Sequence, residues 1–300
     1  MPRSLPALLA GLLLAAPMTQ VRAADPAFES RVPGLAITPL ASLPPAPASV
    51  RQRQGCETRL MRNTRSEAAR QVAAAGWGVT GEEKLGRYQA VSFAGEFQGG
   101  TSGSCQIGQG NVAVFEGSRL LAVAYAERGA PRSIGGIAPL WPDGLRLWDG
   151  DFLAAPLADL RPAGGAGGQG GAGGAGGGQA GQPGAPGRLA LLPLAAEEQV
   201  CQGRGRVPNI YGQPIDRARA ALLAAGWQPV PGERDPALPE AREKALLQHG
   251  VTEVESCSGT GFGFCSYRYR GPAGQLSVTS VGDGELPSVS DYAVRCGAGG

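Results

Sequence analysis

The sequence is poor in lysine: Lys84 and Lys244 are its only two, against 25 arginines in 300 residues. It holds a single histidine, His249, and neither a Cys-x-x-Cys pair nor a Gly-x-Ser-x-Gly motif. Each shortage removes a class of chemistry. One histidine leaves a zinc site dependent on thiolates. No Cys-x-x-Cys argues against thioredoxin-type redox work, and no Gly-x-Ser-x-Gly against a nucleophile elbow. No cofactor, metal or catalytic residue is expected, and the chain reads as a non-enzyme. A formal charge of only +2 disfavours nucleic acid as a partner. Arginine in place of lysine, with abundant Ala, Gly and Pro, reads as the bias of a GC-rich bacterial genome, so arginine alone is no evidence of phosphate binding.

No stretch beyond the N-terminus reaches about 18 consecutive apolar residues, so no membrane span is expected. The N-terminus itself, "MPRSLPALLAGLLLAAPMTQVRAADP", has Arg3 before an apolar run from Leu5 to Pro17 and a small-x-small ending at Val21-Arg22-Ala23. This predicts a signal peptide over 1–23, cleaved after Ala23, and a periplasmic or secreted product.

The expected fold class is α+β: two disulfide-braced domains, each with its helices packed on an antiparallel sheet, joined by a Gly-rich flexible linker. Residues 24–51, broken by proline, read as an extended arm. A first domain over 52–162 has a helix near Thr64–Ala75, begun by the capping box Thr64-x-x-Glu67 and ended at Gly76. The strand-like runs "RYQAVSFAGEF", "SCQIGQGNVAVFEG" and "RLLAVAYAE" follow, with a short strand at Leu145–Trp148. Residues 163–197 contain "GGAGGQGGAGGAGGGQAGQPGAPG", which cannot build a core and reads as a tether. A second domain over 198–297 has helices near Ile215–Ala225 and Ala237–Gln248. Four strands then come from "TEVESC", "FGFCSYRYR", "QLSVTSV" and "SDYAVRC".

The helix ending in Gly-Trp is written twice, at Gly76-Trp77 and Gly226-Trp227. Duplication, or convergence on a common helix C-terminus, would each produce it.

All six cysteines lie beyond the signal peptide, an even number in an oxidising compartment. If bridges stay within domains, Cys56 pairs only with Cys105. Cys257 and Cys265 flank a tight hairpin length and can face each other, which leaves Cys201 to Cys296.

Among candidate binding residues, "WDGD" sets Asp149 and Asp151 beside Trp148, with Trp141 nearby. Such a group suits a sugar or calcium, although turn chemistry explains it as well. "CSYRYRG" puts Tyr267 and Tyr269 on one strand face with Cys265, and Arg268 and Arg270 on the other with Phe262 and Phe264. It reads as a protein-contact or solvated face. His249, in the last turn of a helix, and the glycines of "GTGFGF" read as structural.

"VPNIYGQPIDRARAALLAAGWQPV" (207–230) resembles the opening of a PASTA domain, through Val207-Pro208, Gly212, Ala218, Leu222 and Ala225-Gly226. That resemblance implies binding to the cell envelope. The second helix and the Cys257/Cys265 hairpin depart from the PASTA pattern. The tandem helix-then-sheet layout with disulfides is similar to secreted beta-lactamase inhibitor proteins. The expected function is non-catalytic binding of an envelope polymer or a protein. The alternatives are an inhibitor of a secreted or periplasmic enzyme, and a carbohydrate-active enzyme with an acidic site near Asp149 and Asp151.

Overall fold

The three hairpin-forming runs between Tyr88 and Ala126 do pair with one another, and they form the middle of a larger assembly. The computed structural model describes residues 27–101, 104–163, 188–232, 241–258 and 261–297. The expected signal peptide and most of the Gly-rich stretch lie outside them. The described residues open with β1 (Ala27–Ser30) and β2 (Leu35–Pro39) and reach α1 (Glu67–Ala74) through two short 3-10 turns, Ala48–Arg51 and Glu57–Arg59. Then come β3 (Gly78–Leu85), β4 (Tyr88–Gly99), β5 (Cys105–Glu116) and β6 (Arg119–Ala126). Strands β7 (Ile134–Leu140), β8 (Gly144–Asp149), β9 (Pro156–Ala163) and β10 (Arg188–Leu192) complete the N-terminal part. The C-terminal part has β11 (Glu197–Val200), β12 (Gly205–Pro208), α2 (Ile215–Ala224), β13 (Gln228–Pro229) and α3 (Ala241–Gln248). It ends with β14 (Val254–Cys257), β15 (Cys265–Gly271), β16 (Gly274–Val281) and β17 (Ser288–Cys296).

The described residues are mostly sheet with three helices, an α+β composition. In the N-terminal part the sheet β2-β6-β5-β4-β3 packs on the sheet β1-β10-β9-β8-β7. Ala90, Val112, Val114, Ala122 and Ala124 of the first meet Leu145, Leu147, Ala158, Leu160, Leu189 and Leu191 of the second. The opposite face of the first sheet, with Val91, Phe93, Ala113 and Phe115, is covered by Ala68, Ala69 and Val72 of α1. Burial on both faces explains the apolar runs at Val112–Phe115 of β5 and Leu120–Ala124 of β6. The C-terminal part has a separate core, in which Ile215, Ala218, Leu222 and Leu246 of the helices cover Tyr267, Tyr269, Leu276 and Val278.

Four expectations are corrected. The arm over 24–51 supplies two strands, β1 parallel to β10 and β2 antiparallel to β6. The N-terminal part is therefore two facing sheets with one helix outside, rather than helices on a single sheet. The presumed linker over 163–197 contains β10, whose register partners in β9 include Ala163 for Arg188. The Gly-rich residues 164–187 thus join neighbouring strands of one sheet, and the chain crosses to the C-terminal part at 193–196. Finally, α1 starts later than expected. Its N-cap is Ser66, whose side chain accepts from the Ala69 N–H at 3.1 Å, because the backbone N–H groups of Arg65 and Ser66 bind the buried Glu82 carboxylate at 2.7 and 2.8 Å.

The Gly-Trp repeat is a helix stop. Gly76 and Gly226 are left-handed (φ 91° and 87°), Trp77 N–H donates to Val72 O, and Trp227 N–H to Leu222 O. These are Schellman caps. Helix α3 ends the same way, with Gly250 at φ 78° and Val251 N–H bonded to Leu246 O, and no tryptophan follows it. Each indole also donates to a backbone carbonyl, Trp77 to Pro44 at 2.8 Å and Trp227 to Arg206 at 2.9 Å. A device common to all three helices needs no duplication to explain it.

Candidate functional site

Disulfides join Cys56 to Cys105, Cys201 to Cys296 and Cys257 to Cys265, the three pairs argued from the sequence. No described cysteine is free. The thiols therefore serve as cross-links.

Trp148 belongs to a contact between the two parts of the chain. Leu145 and Leu147 of β8 point into the sandwich, so Arg146 and Trp148 emerge on its outer face. There Arg146 pairs with Asp159 across the β8–β9 ladder at 3.0 Å and with Glu198 of β11 at 2.6 Å. Tyr292 O–H donates to the same Glu198 oxygen at 2.9 Å. Tyr211 stacks on Tyr292 with centroids 4.5 Å apart, and Trp148 meets Tyr211 edge-on at 5.6 Å. Burial works against the Arg146 charge, but Asp159 and Glu198 outweigh it and hold its pKa above the ordinary value. Trp141 is 40% exposed, with its ring against Gly203, where a Cβ would stand 2.8 Å from the indole. The two tryptophans thus do not line a common stacking surface with Asp149 and Asp151.

Asp149 organises a turn. Its buried Oδ1 accepts from the N–H groups of Ala155 at 2.9 Å and Asp151 at 3.3 Å, and Arg132 approaches Oδ2 at 3.4 Å. Burial pushes its carboxyl above the usual range despite these partners. Asp151 is exposed and accepts from Phe152 N–H at 2.7 Å. The turn forms one wall of a cleft of about 410 Å³, whose other walls carry Glu96, Gln98, Gln106, Gln109, Arg132 and Ser133. Among the described residues no group of three or more His, Cys, Asp or Glu is arranged to hold a metal ion.

Tyr267 and Tyr269 are corrected as contact residues: both are fully buried. Their strand face lies beneath α2 and α3, and each phenol has an internal partner. Tyr267 meets Ser280 Oγ at 2.8 Å, and Tyr269 donates to Glu253 Oε1 at 2.5 Å, beside Arg219 at 3.1 Å. Burial pushes the Tyr267 hydroxyl up to about 12 and raises that of Tyr269 as well. His249 is exposed, with Nε2 3.3 Å from Glu285.

The sequence sets Phe262 and Phe264 with the arginines on a protein-contact or solvated face, and both rings do reach the surface. They are 48% and 37% exposed, edge to face at 6.1 Å, on the hairpin closed by Cys257–Cys265. Ser258 N–H donates to Phe264 O at 2.7 Å, Phe264 N–H to Ser258 Oγ at 3.1 Å, and Gly282 N–H to Phe262 O at 3.0 Å. Arg242 braces the neighbouring turn through Gly282 O at 3.0 Å and Asp283 at 2.9 Å. Two phenylalanines within a glycine-rich, cysteine-closed loop were the available signal, since such a loop has little core in which to bury them.

No family model, curated protein or solved structure matches this chain. Its function is therefore argued from its own residues. The three disulfides, with no helix among the described residues long and apolar enough to cross a membrane, fit an exported protein.

Proposed function

We propose that this is an exported, non-catalytic binding protein of the bacterial envelope or exterior, which grips a protein partner with the Phe262/Phe264 hairpin. The observation that carries this reading is the exposure of two adjacent aromatic rings on a loop fixed at both ends. Aromatic side chains anchor interfaces, and rings whose own backbone is already hydrogen-bonded lose little entropy on binding. The other residues singled out for chemistry support it by their occupation elsewhere. Asp149 serves a turn, Trp148 a contact between the two parts, and the tyrosines a core. Residues 207–230, resembling the start of a PASTA domain, fold as β12, α2 and β13, and that resemblance favours the envelope as the location. The same hairpin also favours the second reading, inhibition of an exported enzyme, in which the rings enter the enzyme's cleft.

The test uses the full oxidised protein and its Phe262→Ala/Phe264→Ala variant as baits for envelope and secreted fractions. A stoichiometric partner held by the first and lost at least about tenfold by the second is expected, since each anchor contributes roughly 1 kcal/mol or more. Unchanged thermal stability is expected too, because both rings are exposed. A partner retained equally by both baits removes the hairpin from the interface. Activity assays on a captured enzyme then separate inhibition from simple attachment.

A further inference from the structure

We infer that the cleft beside the Asp149 turn is a second site, separate from the hairpin, which takes a short neutral saccharide. Its floor is the distal end of the β4–β5 hairpin. Glu96 stands opposite Gly108 and Gln98 opposite Gln106, so all of these lie on one face, two residues apart along each strand. Glycine opposite Glu96 leaves that carboxylate room to lie across the ladder: a Cβ there would come within 2.8 Å of its Oε2. Directly opposed residues stand about 5 Å apart, a spacing comparable to the width of one pyranose ring. Among the described residues, the side chains of Glu96, Gln98 and Gln106 have no hydrogen-bond or ion-pair partner. They present both donors and acceptors to the cleft.

The walls are fixed. Ile107 N–H donates to Gly150 O at 2.6 Å, Gly150 N–H to Ser133 O at 2.9 Å, and Gly110 N–H to Ser133 Oγ at 2.8 Å. Gly110 and Gly150 permit that approach, since a Cβ would fall 1.5 Å from Ile134 O and 2.0 Å from Ile107 O respectively. The recess of about 410 Å³, with the exposed Glu96, Gln98 and Gln106 side chains on its floor, lies within the size range of small-ligand sites. Its polar lining suits hydroxyl groups rather than an apolar molecule. Charge narrows the class further. Arg132 is paired with Asp149, which leaves Glu96 and Asp151 as the uncompensated charges, and these repel an anionic sugar.

The experiment is a titration of the full oxidised protein, followed by calorimetry and saturation-transfer NMR. The probes are neutral disaccharides of gluco, galacto, manno and N-acetylated type, with digalacturonic acid as the anionic probe and calcium alone as a further arm. At least one neutral disaccharide is expected to bind. It should weaken about thirtyfold in Gln98→Ala/Gln106→Ala, through the loss of two hydrogen bonds, and remain unchanged in Phe262→Ala/Phe264→Ala. Digalacturonic acid is expected to bind more weakly, with the difference narrowing as salt is added. No binding by any neutral probe, binding undiminished in the glutamine variant, tighter binding of the anionic probe, or binding of calcium alone would each overturn the inference. Failure here leaves the hairpin reading standing, because the two sites share no residue.

Discussion

Among the described residues, a buried carboxylate's pKa falls where its hydrogen bonds outweigh burial and rises where they do not, and the two cases respond differently to pH. Glu82 is the first case. Burial alone would raise its pKa, but hydrogen bonds from Ser66 and Arg65 outweigh that and hold it below the usual carboxylate value. A depressed folded pKa means stability that is present above the unfolded pKa and lost as pH falls through the folded one. Glu82→Gln is therefore expected to cost about 2 kcal/mol near neutral pH, because an amide can turn a donor toward a backbone N–H. Urea unfolding of both proteins should show that gap closing below about pH 4. Asp149 and Asp159, both raised by burial, favour the folded state in the opposite direction of pH. Their contribution cancels in the comparison of wild type with variant, so the closing gap reports Glu82 alone. A gap that stays constant with pH would place the cost in packing instead.

At the level of elements, the strands legible in the sequence were the alternating or fully apolar ones. Strands β4, β5 and β6 and the hairpins of β14 to β17 are of this kind, held between covered faces or over a buried tyrosine row. Among those hidden were all four edge strands of the N-terminal sheets, β1, β2, β3 and β7. Edges tolerate charge and broken alternation, although proline stands near the ends of the interior strand β9 as well. Pro39 ends β2, Pro139 lies in β7, and β3 carries Glu82, Glu83 and Lys84. The candidate site divides the same way. The cysteines were readable because pairing is a counting problem, whereas Tyr267 and Tyr269 were misread because alternation gives a face without saying which face is covered. Strand β10 was hidden by its glycine-rich neighbourhood, and this has a measurable consequence. Since Ala163 and Arg188 are cross-strand partners, 24 residues close a turn that two could close. Replacing 164–187 with Asn-Gly is expected to stabilise the protein by about 2 kcal/mol, from the smaller loop-closure entropy. Chemical denaturation measures this directly. Were the segment a tether between the two parts, the same deletion would strain or separate them, and stability would fall.

At the scale of the whole molecule, the decisive question is whether the two parts behave as one. Only residues 193–196 connect β10 to β11, and Arg146, Trp148, Tyr211, Glu198 and Tyr292 meet across the contact. Coupling through this group is electrostatic at its centre and aromatic around it, with Arg146 as the shared member: it binds Asp159 on its own sheet, Glu198 on the other part, and lies 5.8 Å over the Tyr211 ring. Removing Arg146 leaves two carboxylates facing each other with no cation between them, and breaking a buried pair in this way costs about 3–5 kcal/mol. That cost should fall on the contact and on the β8–β9 ladder, while the C-terminal core, which meets the pair only at its edge through Tyr292, keeps most of its own stability. Calorimetry of the wild type is thus expected to show one cooperative transition. Arg146→Ala should split it, moving the N-terminal transition down by several degrees and leaving the other near its original position. Two transitions already present in the wild type would mean that the contact couples nothing, and that the hairpin and the cleft act as independently tethered sites rather than at a fixed separation on one rigid body.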